Sequence, residues 1–239
     1  MNQGTYPLAA TMVNQLNRVD VLSNNLANAN TNGFKQDNLS EGSFNHYLQK
    51  AQDKNQDINK LNQITNTIPK IDTKYVTQAQ GSIVPTNNKL DFAIKDENVF
   101  FKVQNPKTKE LLLTKDGSFN ILNGQLVTKS GFNVLDMDNN PIIAEDDFAQ
   151  QIAVVKTNFN NLDKQGSNNY SIKSINNVEN LIGNEDTVLQ ASLEKSNVNS
   201  IVTMVGLIES QRRFEQAQKA MTAIDELNQK VIDKIGSNR

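Results

Sequence analysis

The sequence predicts an α+β protein in which long N- and C-terminal helices form a coiled-coil-like bundle, accompanied by one antiparallel all-β domain. Two observations predict this architecture. Apolar residues recur at alternating spacings of three and four near both ends of the chain. Short β-rich runs separated by turn residues fill the middle. The predicted domains are residues 1–35 (N-terminal helix), 36–78 (polar connector), 79–185 (β domain) and 186–239 (C-terminal helix).

An apolar stripe that begins at Ala9 predicts the N-terminal helix. Its members have the spacing of a coiled-coil seam: Ala9, Met12, Leu16, Val19, Ser23 and Leu26. Two positions are compatible with the end of this helix. Gly33 can take the left-handed conformation just past the last turn, which brings Phe34 back to Ala29. Alternatively, the Asn-rich stretch around Asn30 ends the helix a few residues earlier, in a turn.

The connector is polar and rich in Gln, Asn and Lys, with Pro69 as a breaker of regular structure. A short helix within it is compatible with an apolar face, although Asn and Asp lower the helical propensity. That face comprises Tyr47, Leu48, Ala51, Ile58 and Leu61.

The β domain is predicted from regularly spaced runs of β-forming residues, which favour an antiparallel sandwich or barrel. These runs are Val99–Val103, Glu110–Thr114, Ser118–Leu122, Gln125–Thr128, Asn133–Met137 and Ile152–Val155, with a further strand near Tyr170–Ile175. Asp116-Gly117 and Asn123-Gly124 are hairpin signals, because both residues of a type I′ turn need a positive φ.

The C-terminal helix is predicted to begin near Ser196 to Asn199 and to end near Ile235. At 1.5 Å per residue it is about 55 to 60 Å long, which exceeds the span of a β domain of roughly 100 residues. Its seam consists of Leu207, Phe214, Ala217, Met221, Ile224, Asn228, Val231 and Ile235. This stripe therefore predicts packing against the N-terminal helix, against other subunits, or against both, and Asn228 is a polar break that sets register.

Composition argues against several classes of function. The net charge of -2 with no basic block gives no field for nucleic acid or anionic lipid, and the absence of Cys excludes thiolate metal sites. His46 is the only histidine, so neither a catalytic triad nor a histidine zinc site is expected. Asp136–Asn140 is similar to the start of a calcium loop closed by Asp147, but Pro141 replaces the required glycine. We therefore predict no catalytic residues, cofactor or metal.

Neither a cleaved secretory signal nor an apolar run long enough to span a membrane is evident, and composition alone favours an intracellular protein.

Arg212-Arg213 is more typical of a solvated helix face than of a binding site, with a specific inter-subunit contact as the alternative.

Three motifs, in order, resemble a known family. Asn25–Lys35 closely resembles the N-terminal signature of the flagellar basal-body rod and hook proteins. Leu193–Val198, followed by Gln211–Glu215, resembles the C-terminal signature. The β domain shared by the larger members is matched at Gly81, Thr86, Leu90–Ile94, Phe100-Phe101, Thr114–Phe119 and Gly124–Val127.

The resemblance implies an axial structural protein of the bacterial flagellum, which would overturn the intracellular expectation. Such a protein is exported through the flagellar type III apparatus without a cleaved signal. It polymerises with copies of itself and neighbouring rod proteins into a periplasm-spanning tube that transmits torque and encloses the export channel. A single β domain and Arg213-Phe214-Glu215 favour the proximal rod type, with the distal rod type as the alternative. A β-domain enzyme or carbohydrate-binding module on a coiled coil is the remote alternative.

In that family both terminal helices pack together and against neighbours to form the inner tube. The predicted assembly interface therefore consists of seam residues from both helices: Met12, Leu16, Val19, Leu26, Leu207, Phe214, Met221, Ile224 and Val231. The predicted helix-end motif is Asn30, Gly33 and Phe34.

Overall fold

A computed structural model describes residues 5–43, 69–144, 148–166, 168–174, 178–182 and 187–236. The fold of these residues is α+β, as predicted, with two α-helices and fifteen strands. The chain divides into two compact units, each discontinuous in sequence. A helical unit comprises residues 1–26, 37–75 and 199–239, and a β unit comprises residues 27–36 and 76–198.

The helical unit contains the two α-helices, α1 (Thr5–Ala27) and α2 (Ser200–Gly236). Asn199 caps α2, because its Oδ1 accepts a hydrogen bond from the backbone N–H of Val202 at 3.1 Å. The start and end of α2 agree with the prediction. The helices run antiparallel, since Leu22 near the end of α1 lies beside Gly206 near the start of α2.

The end of α1 corresponds to the earlier of the two predicted positions. The helix stops at Ala27, and turns follow in which Thr31 N–H donates to Asn28 O and Phe34 N–H donates to Thr31 O. Gly33 does have a positive φ of 65°, but it does not cap the helix. The short polar side chains of the Asn-rich stretch compete with the helix for backbone hydrogen bonds, which ends the helix before Gly33 is reached.

Two strands pair where the sequence predicted only a connector: β1 (Asp37–Ser43) and β2 (Pro69–Val76). Pro69 opens β2, a position at which a strand tolerates the missing N–H group. The predicted helical face at Tyr47, Leu48, Ala51, Ile58 and Leu61 lies outside the described residues, and so does His46.

The β unit contains the remaining strands, and their pairings are antiparallel. They are β3 (Ile83–Pro85), β4 (Phe92–Ile94), β5 (Val99–Gln104), β6 (Leu111–Thr114), β7 (Phe119–Leu122), β8 (Gln125–Thr128), β9 (Asn133–Val134), β10 (Ala153–Lys156), β11 (Leu162–Gln165), β12 (Asn169–Ile172), β13 (Glu179–Ile182), β14 (Val188–Gln190) and β15 (Ser192–Glu194). A nine-stranded sheet has the order β11-β12-β6-β5-β9-β8-β7, and β10 joins it by pairing with β5 and β13. Two small sheets pair β4 with β14 and β3 with β15.

Strand β5 is the centre of the core because it is buried on both faces. Phe101 and Val103 belong to one apolar cluster, while Phe100 on the opposite face belongs to a second cluster with Phe159 and Tyr170. This alternation follows from the two-residue period of a strand, and it explains why apolar residues of β5 occur on both faces.

One predicted hairpin is present and the other is not. Asn123 and Gly124 both have positive φ and join β7 to β8, as a type I′ turn requires. Asp116-Gly117 does not join paired strands, because β6 pairs with β5 and β12 while β7 pairs with β8. Gly117 is instead required by close packing, since a Cβ there would lie 1.8 Å from the carbonyl oxygen of Phe92.

Candidate functional site

The two terminal signatures meet inside the β unit in a buried ion pair. Lys35 Nζ lies 2.7 Å from Glu194 Oε1, and the two side chains are 0% and 1% exposed. Lys35 Nζ also donates a hydrogen bond to the carbonyl oxygen of Ala79 at 2.9 Å. A buried ammonium group needs such a carboxylate and carbonyl partner, because burial removes the water that would otherwise solvate it.

The same glutamate organises the backbone around it. Its Oε1 accepts a hydrogen bond from Gly81 N–H at 2.9 Å, and its carbonyl oxygen accepts one from Gly33 N–H at 2.8 Å. Pairing between β15 and β3 brings Glu194 opposite Ile83, close to Gly81 in the chain. Two separate segments, residues 33–35 and 81–83, are thereby tied to one residue of β15.

Asn197 joins the same segments by its amide group. Its Oδ1 accepts a hydrogen bond from Gln36 N–H at 2.8 Å, while its Nδ2 donates to the carbonyl oxygens of Thr77 and Ala79 at 3.1 Å and 2.8 Å. The backbone N–H of Asn197 donates to Phe34 O. An amide side chain can do this because it carries donors and an acceptor at once.

Phe34 is buried beneath a lysine from β11. Lys164 Nζ lies 3.9 Å from the centroid of the Phe34 ring and donates to the carbonyl oxygen of Lys35 at 3.0 Å. This geometry is a cation–π contact combined with a hydrogen bond, and it attaches the N-terminal signature to the nine-stranded sheet.

Glycine is needed at two of these positions because the backbone approaches too closely for a side chain. A Cβ on Gly33 would lie 2.4 Å from the carbonyl carbon and oxygen of Lys115, and its φ of 65° also favours glycine. A Cβ on Gly81 would lie 1.9 Å from the carbonyl oxygen of Lys195. We call the set comprising Gly33, Phe34, Lys35, Gly81, Glu194 and Asn197 the signature clamp.

A second buried lysine lies beside the clamp. Lys115 is 1% exposed, donates to Asp96 O at 2.7 Å and lies 5.0 Å from the centroid of the Phe100 ring. Burial lowers the pKa of Lys115 to about 8, and the charge of Lys35 acts in the same direction, whereas the charge of Glu194 opposes the shift. Glu194 therefore balances part of the charge of two lysines.

In the helical unit, the N-terminal signature makes another buried contact through Asn25. This residue is 0% exposed, and its amide exchanges hydrogen bonds with the backbone of Asp37: Oδ1 accepts from the N–H at 2.9 Å, and Nδ2 donates to the carbonyl at 2.7 Å. The carboxylate of Asp37 pairs with Lys74 at 3.0 Å. Asn25 thus holds the end of α1 to the start of β1.

The predicted interface residues occupy both half-buried and exposed positions. Leu16 and Val231 are exposed by 49% and 55%. The half-buried members are Met12, Val19, Leu26, Leu207, Phe214, Met221 and Ile224.

The apolar surface of the helices extends beyond this predicted set. The buried positions of α2 within the described residues are the small side chains Thr203, Ser210 and Ala217. Many large apolar side chains remain exposed, a pattern that marks an interaction surface. They are Val13, Leu16, Ile201, Val202, Met204, Val205, Ile208, Leu227, Val231 and Ile232.

Other candidate sites have ordinary structural roles where they are described. Asp136 closes its own loop, since its Oδ1 accepts a hydrogen bond from Asn140 N–H at 2.7 Å and Asn139 has a φ of 65°. Asp147 lies outside the described residues. Within the described ranges, no group of three or more potential metal ligands converges, and neither helix is long and apolar enough to cross a membrane.

Sequence reasoning identified the signatures but did not identify the residues that join them. Lys35 and Glu194 are 159 positions apart, so no local periodicity relates them. The available signal was that a lysine, Lys35, closes the N-terminal motif and a glutamate, Glu194, lies near the start of the C-terminal motif.

Comparison with known proteins agrees with the two signatures. The family model described as "Flagella basal body rod protein" matches residues 8–35, and "Flagellar basal body rod FlgEFG protein C-terminal" matches residues 189–234. The flagellar basal-body rod protein FlgG of Buchnera aphidicola subsp. Baizongia pistaciae is 33% identical over 89% of this chain and 92% of its own length. FlgF of Rhizobium meliloti is 28% identical over the full length of both chains, and the flagellar hook-basal body complex protein FlhP of Bacillus subtilis is 28% identical over 92% of this chain and 94% of its own length.

Removing one charge of the clamp should destabilise the β unit strongly. In Lys35→Met the carboxylate of Glu194 stays buried without its partner, so we expect the free energy of unfolding to fall by about 3 to 5 kcal/mol. Urea denaturation followed by circular dichroism measures this loss. Lys173→Met is the matched control, because its pair with Asp163 is exposed and should contribute less than about 1 kcal/mol. Equal losses in both variants would contradict a special role for the buried pair.

Glycine substitutions should separate backbone strain from close packing. Gly33→Ala and Gly124→Ala both place a side chain at positive φ, but only Gly33 approaches another backbone segment. We expect Gly124→Ala to cost about 1 kcal/mol and Gly33→Ala about 2 to 4 kcal/mol in unfolding free energy. If urea denaturation gave the same loss for both, close packing at Gly33 would have no energetic consequence.

Lys115 should make stability depend on pH in alkaline solution. Its pKa is about 8 in the folded protein against an ordinary 10.5, so between these values the unfolded state binds more protons. The free energy of unfolding should therefore rise from pH 8 to 10.5, by up to about 1.4 kcal/mol per pH unit, and this contribution is absent below pH 8. Urea denaturation across this range should show a rise in the native chain that Lys115→Met lacks. An identical rise in that variant would assign it to other groups.

Proposed function

Since the chain belongs to the flagellar basal-body rod protein family and is a structural subunit of the rod, we propose that its copies polymerise into a helical tube that transmits torque and encloses an export channel. The observation that carries this proposal is the large exposed apolar surface of the two helices. Head-to-tail contacts that do not close on themselves generate a filament of this kind. The family is structural rather than enzymatic, and we propose no catalytic role for the chain.

The terminal helices are the proposed contact elements of the tube. In this arrangement α1 and α2 form a coiled-coil-like bundle with each other and with neighbouring subunits. The seam residues Met12, Leu16, Val19, Leu26, Leu207, Phe214, Met221, Ile224 and Val231 make its contacts. The antiparallel course of α1 and α2 within the helical unit supports this arrangement.

The start of α2 adds an apolar patch outside the seam. Its members have helical spacing on one face and are exposed by 49% to 76%: Ile201, Met204, Val205 and Ile208. Four exposed apolar side chains on one face of a helix are best explained, in a rod subunit, as a contact with a neighbouring subunit. We therefore include it in the proposed assembly surface.

The signature clamp has a mechanical role in this proposal. Within the β unit it ties the segment that follows α1 to the segment that precedes α2, through a buried ion pair and the bridging amide of Asn197. Buried charged and amide groups with several partners resist displacement, because separating them leaves each one unsolvated. A load applied to either segment is therefore shared with the β unit.

The proposed place of the subunit is the proximal rod, after export through the flagellar type III apparatus without a cleaved signal. The Arg213-Phe214-Glu215 sequence, through its resemblance to the proximal rod type, supports the proximal position. The distal rod type, which shares the three motifs, is the second candidate.

A charge placed in the apolar patch should block assembly without unfolding the β unit. We expect Ile208→Asp, expressed from the native locus, to abolish swimming and to leave motors with a truncated rod in electron cryotomography. Burial of an unpaired carboxylate between subunits is the physical reason. Gln218→Asp introduces the same charge at an exposed polar position of α2 and should support swimming. The height of the stump separates the proximal from the distal position, and intact rods in Ile208→Asp would refute the proposed contact surface.

A further inference from the structure

Two Asn-Gly pairs in the β unit are chemically alike but differ in their surroundings. Asn followed directly by Gly occurs at Asn32-Gly33, in the N-terminal signature, and at Asn123-Gly124, in the turn between β7 and β8. Asn is among the chemically labile residues of proteins. A following Gly leaves the next backbone nitrogen without a side chain to obstruct it. At these two places a side-chain amide can therefore react most readily with the adjoining backbone.

The reaction open to such a pair is deamidation through a cyclic imide. The Gly nitrogen gives up its proton to solvent and attacks Cγ of the preceding Asn. The new N–Cγ bond closes a five-membered ring, the Cγ–Nδ2 bond breaks, and the leaving nitrogen takes up a proton and departs as ammonia. Water then opens the ring. Cleavage of the N–Cγ bond leaves Asp, whereas cleavage at the main-chain carbonyl leaves isoaspartate, whose backbone is one methylene longer.

The groups that must react are accessible at Asn123-Gly124. Both residues are exposed, and among the described residues neither the side-chain amide of Asn123 nor the backbone N–H of Gly124 has a hydrogen-bond partner. A Cβ built on Gly124 would meet no atom within 4 Å. The turn is held to its neighbours through the carbonyl of Gly124, which accepts from Ala144 N–H at 2.9 Å. Local opening of a hairpin tip costs little, so the nitrogen can reach Cγ without unfolding of the core.

The same groups are held apart at Asn32-Gly33. The attacking nitrogen would be that of Gly33, which is buried and whose N–H donates to Glu194 O at 2.8 Å. Lys195 Nζ lies 3.5 Å from the Asn32 amide oxygen, and Asn168 Nδ2 donates to the Asn32 carbonyl at 3.0 Å. Ring closure would require the Gly33 N–H to leave Glu194. Reaction at Asn32 is therefore coupled to opening of the signature clamp.

We propose that Asn123-Gly124 is a deamidation site of the folded chain and that the signature clamp protects Asn32-Gly33 from the same reaction. The protection begins when the clamp closes, so a chain that has not folded is labile at both pairs. Isoaspartate at position 32 would lengthen the backbone directly before Gly33, where a Cβ would already lie 2.4 Å from Lys115. A chain that forms isoaspartate there before folding can no longer close the clamp.

Mass spectrometry of the aged protein tests both halves of the proposal. The purified full chain is incubated at neutral pH, digested, and fragmented to locate each deamidated Asn. We expect deamidation at Asn32 to be at least about tenfold slower than at Asn123 in the folded chain, because clamp opening is rarer than opening of a loop tip. In denaturing urea the two rates should become similar. Equal rates in the folded chain would overturn protection by the clamp, and an unreacted Asn123 would overturn the proposed site.

A urea series tests the coupling to the clamp without any substitution. The rate at Asn32 should increase in step with the unfolded fraction measured by circular dichroism, whereas the rate at Asn123 should change much less. A rate at Asn32 that ignores the unfolded fraction would contradict the coupling.

Gly124→Ala is the matched control for the chemistry. The added methyl group obstructs the attacking nitrogen, so deamidation at Asn123 should slow several-fold while the rate at Asn32 stays the same. An unchanged rate at Asn123 in this variant would exclude the cyclic imide as the route.

Discussion

The buried pair of Lys35 and Glu194 is the constraint on which the arrangement of the β unit's terminal segments depends. Two charges with essentially no exposure are stable only when each has several partners, and the backbone around them supplies those partners. Gly81 donates to the carboxylate, Ala79 accepts from the ammonium group, and Gly33 donates to the backbone of Glu194. Glycine is required at positions 33 and 81 because backbone segments pack this closely beside the charge pair.

Buried ionised groups and exposed apolar side chains are found in different units of the chain. The β unit buries its large apolar residues in two clusters around β5, and it buries ionised groups beside them. In the helical unit the helices bury small or polar residues and expose large apolar ones. A β unit that buries its large apolar residues, together with helices that leave theirs exposed, fits a subunit of an assembly.

Local signals in the sequence predicted the fold class, most strands of the large sheet and the full extent of α2. These features depend on periodicity and on residues close together in the chain, such as Asn123-Gly124. The resemblance of the signatures led to the family. The clamp could not be predicted, because Lys35 and Glu194 are 159 positions apart and only the tertiary fold brings them together. Strands β1 and β2 were missed because the polar composition around them resembles that of a linker, and Asp116-Gly117 was misread because its glycine serves packing rather than a hairpin.

The distance in sequence between the two members of the clamp has a consequence for the order in which the subunit matures. When a chain emerges with its N-terminus first, Lys35 must remain hydrated until Glu194 has followed, after most of the β strands. Closing so long a loop is entropically costly and is rewarded only when the last strand, β15, pairs with β3. The β unit therefore reaches its final form late, and an incomplete chain lacks the partner that its first signature requires.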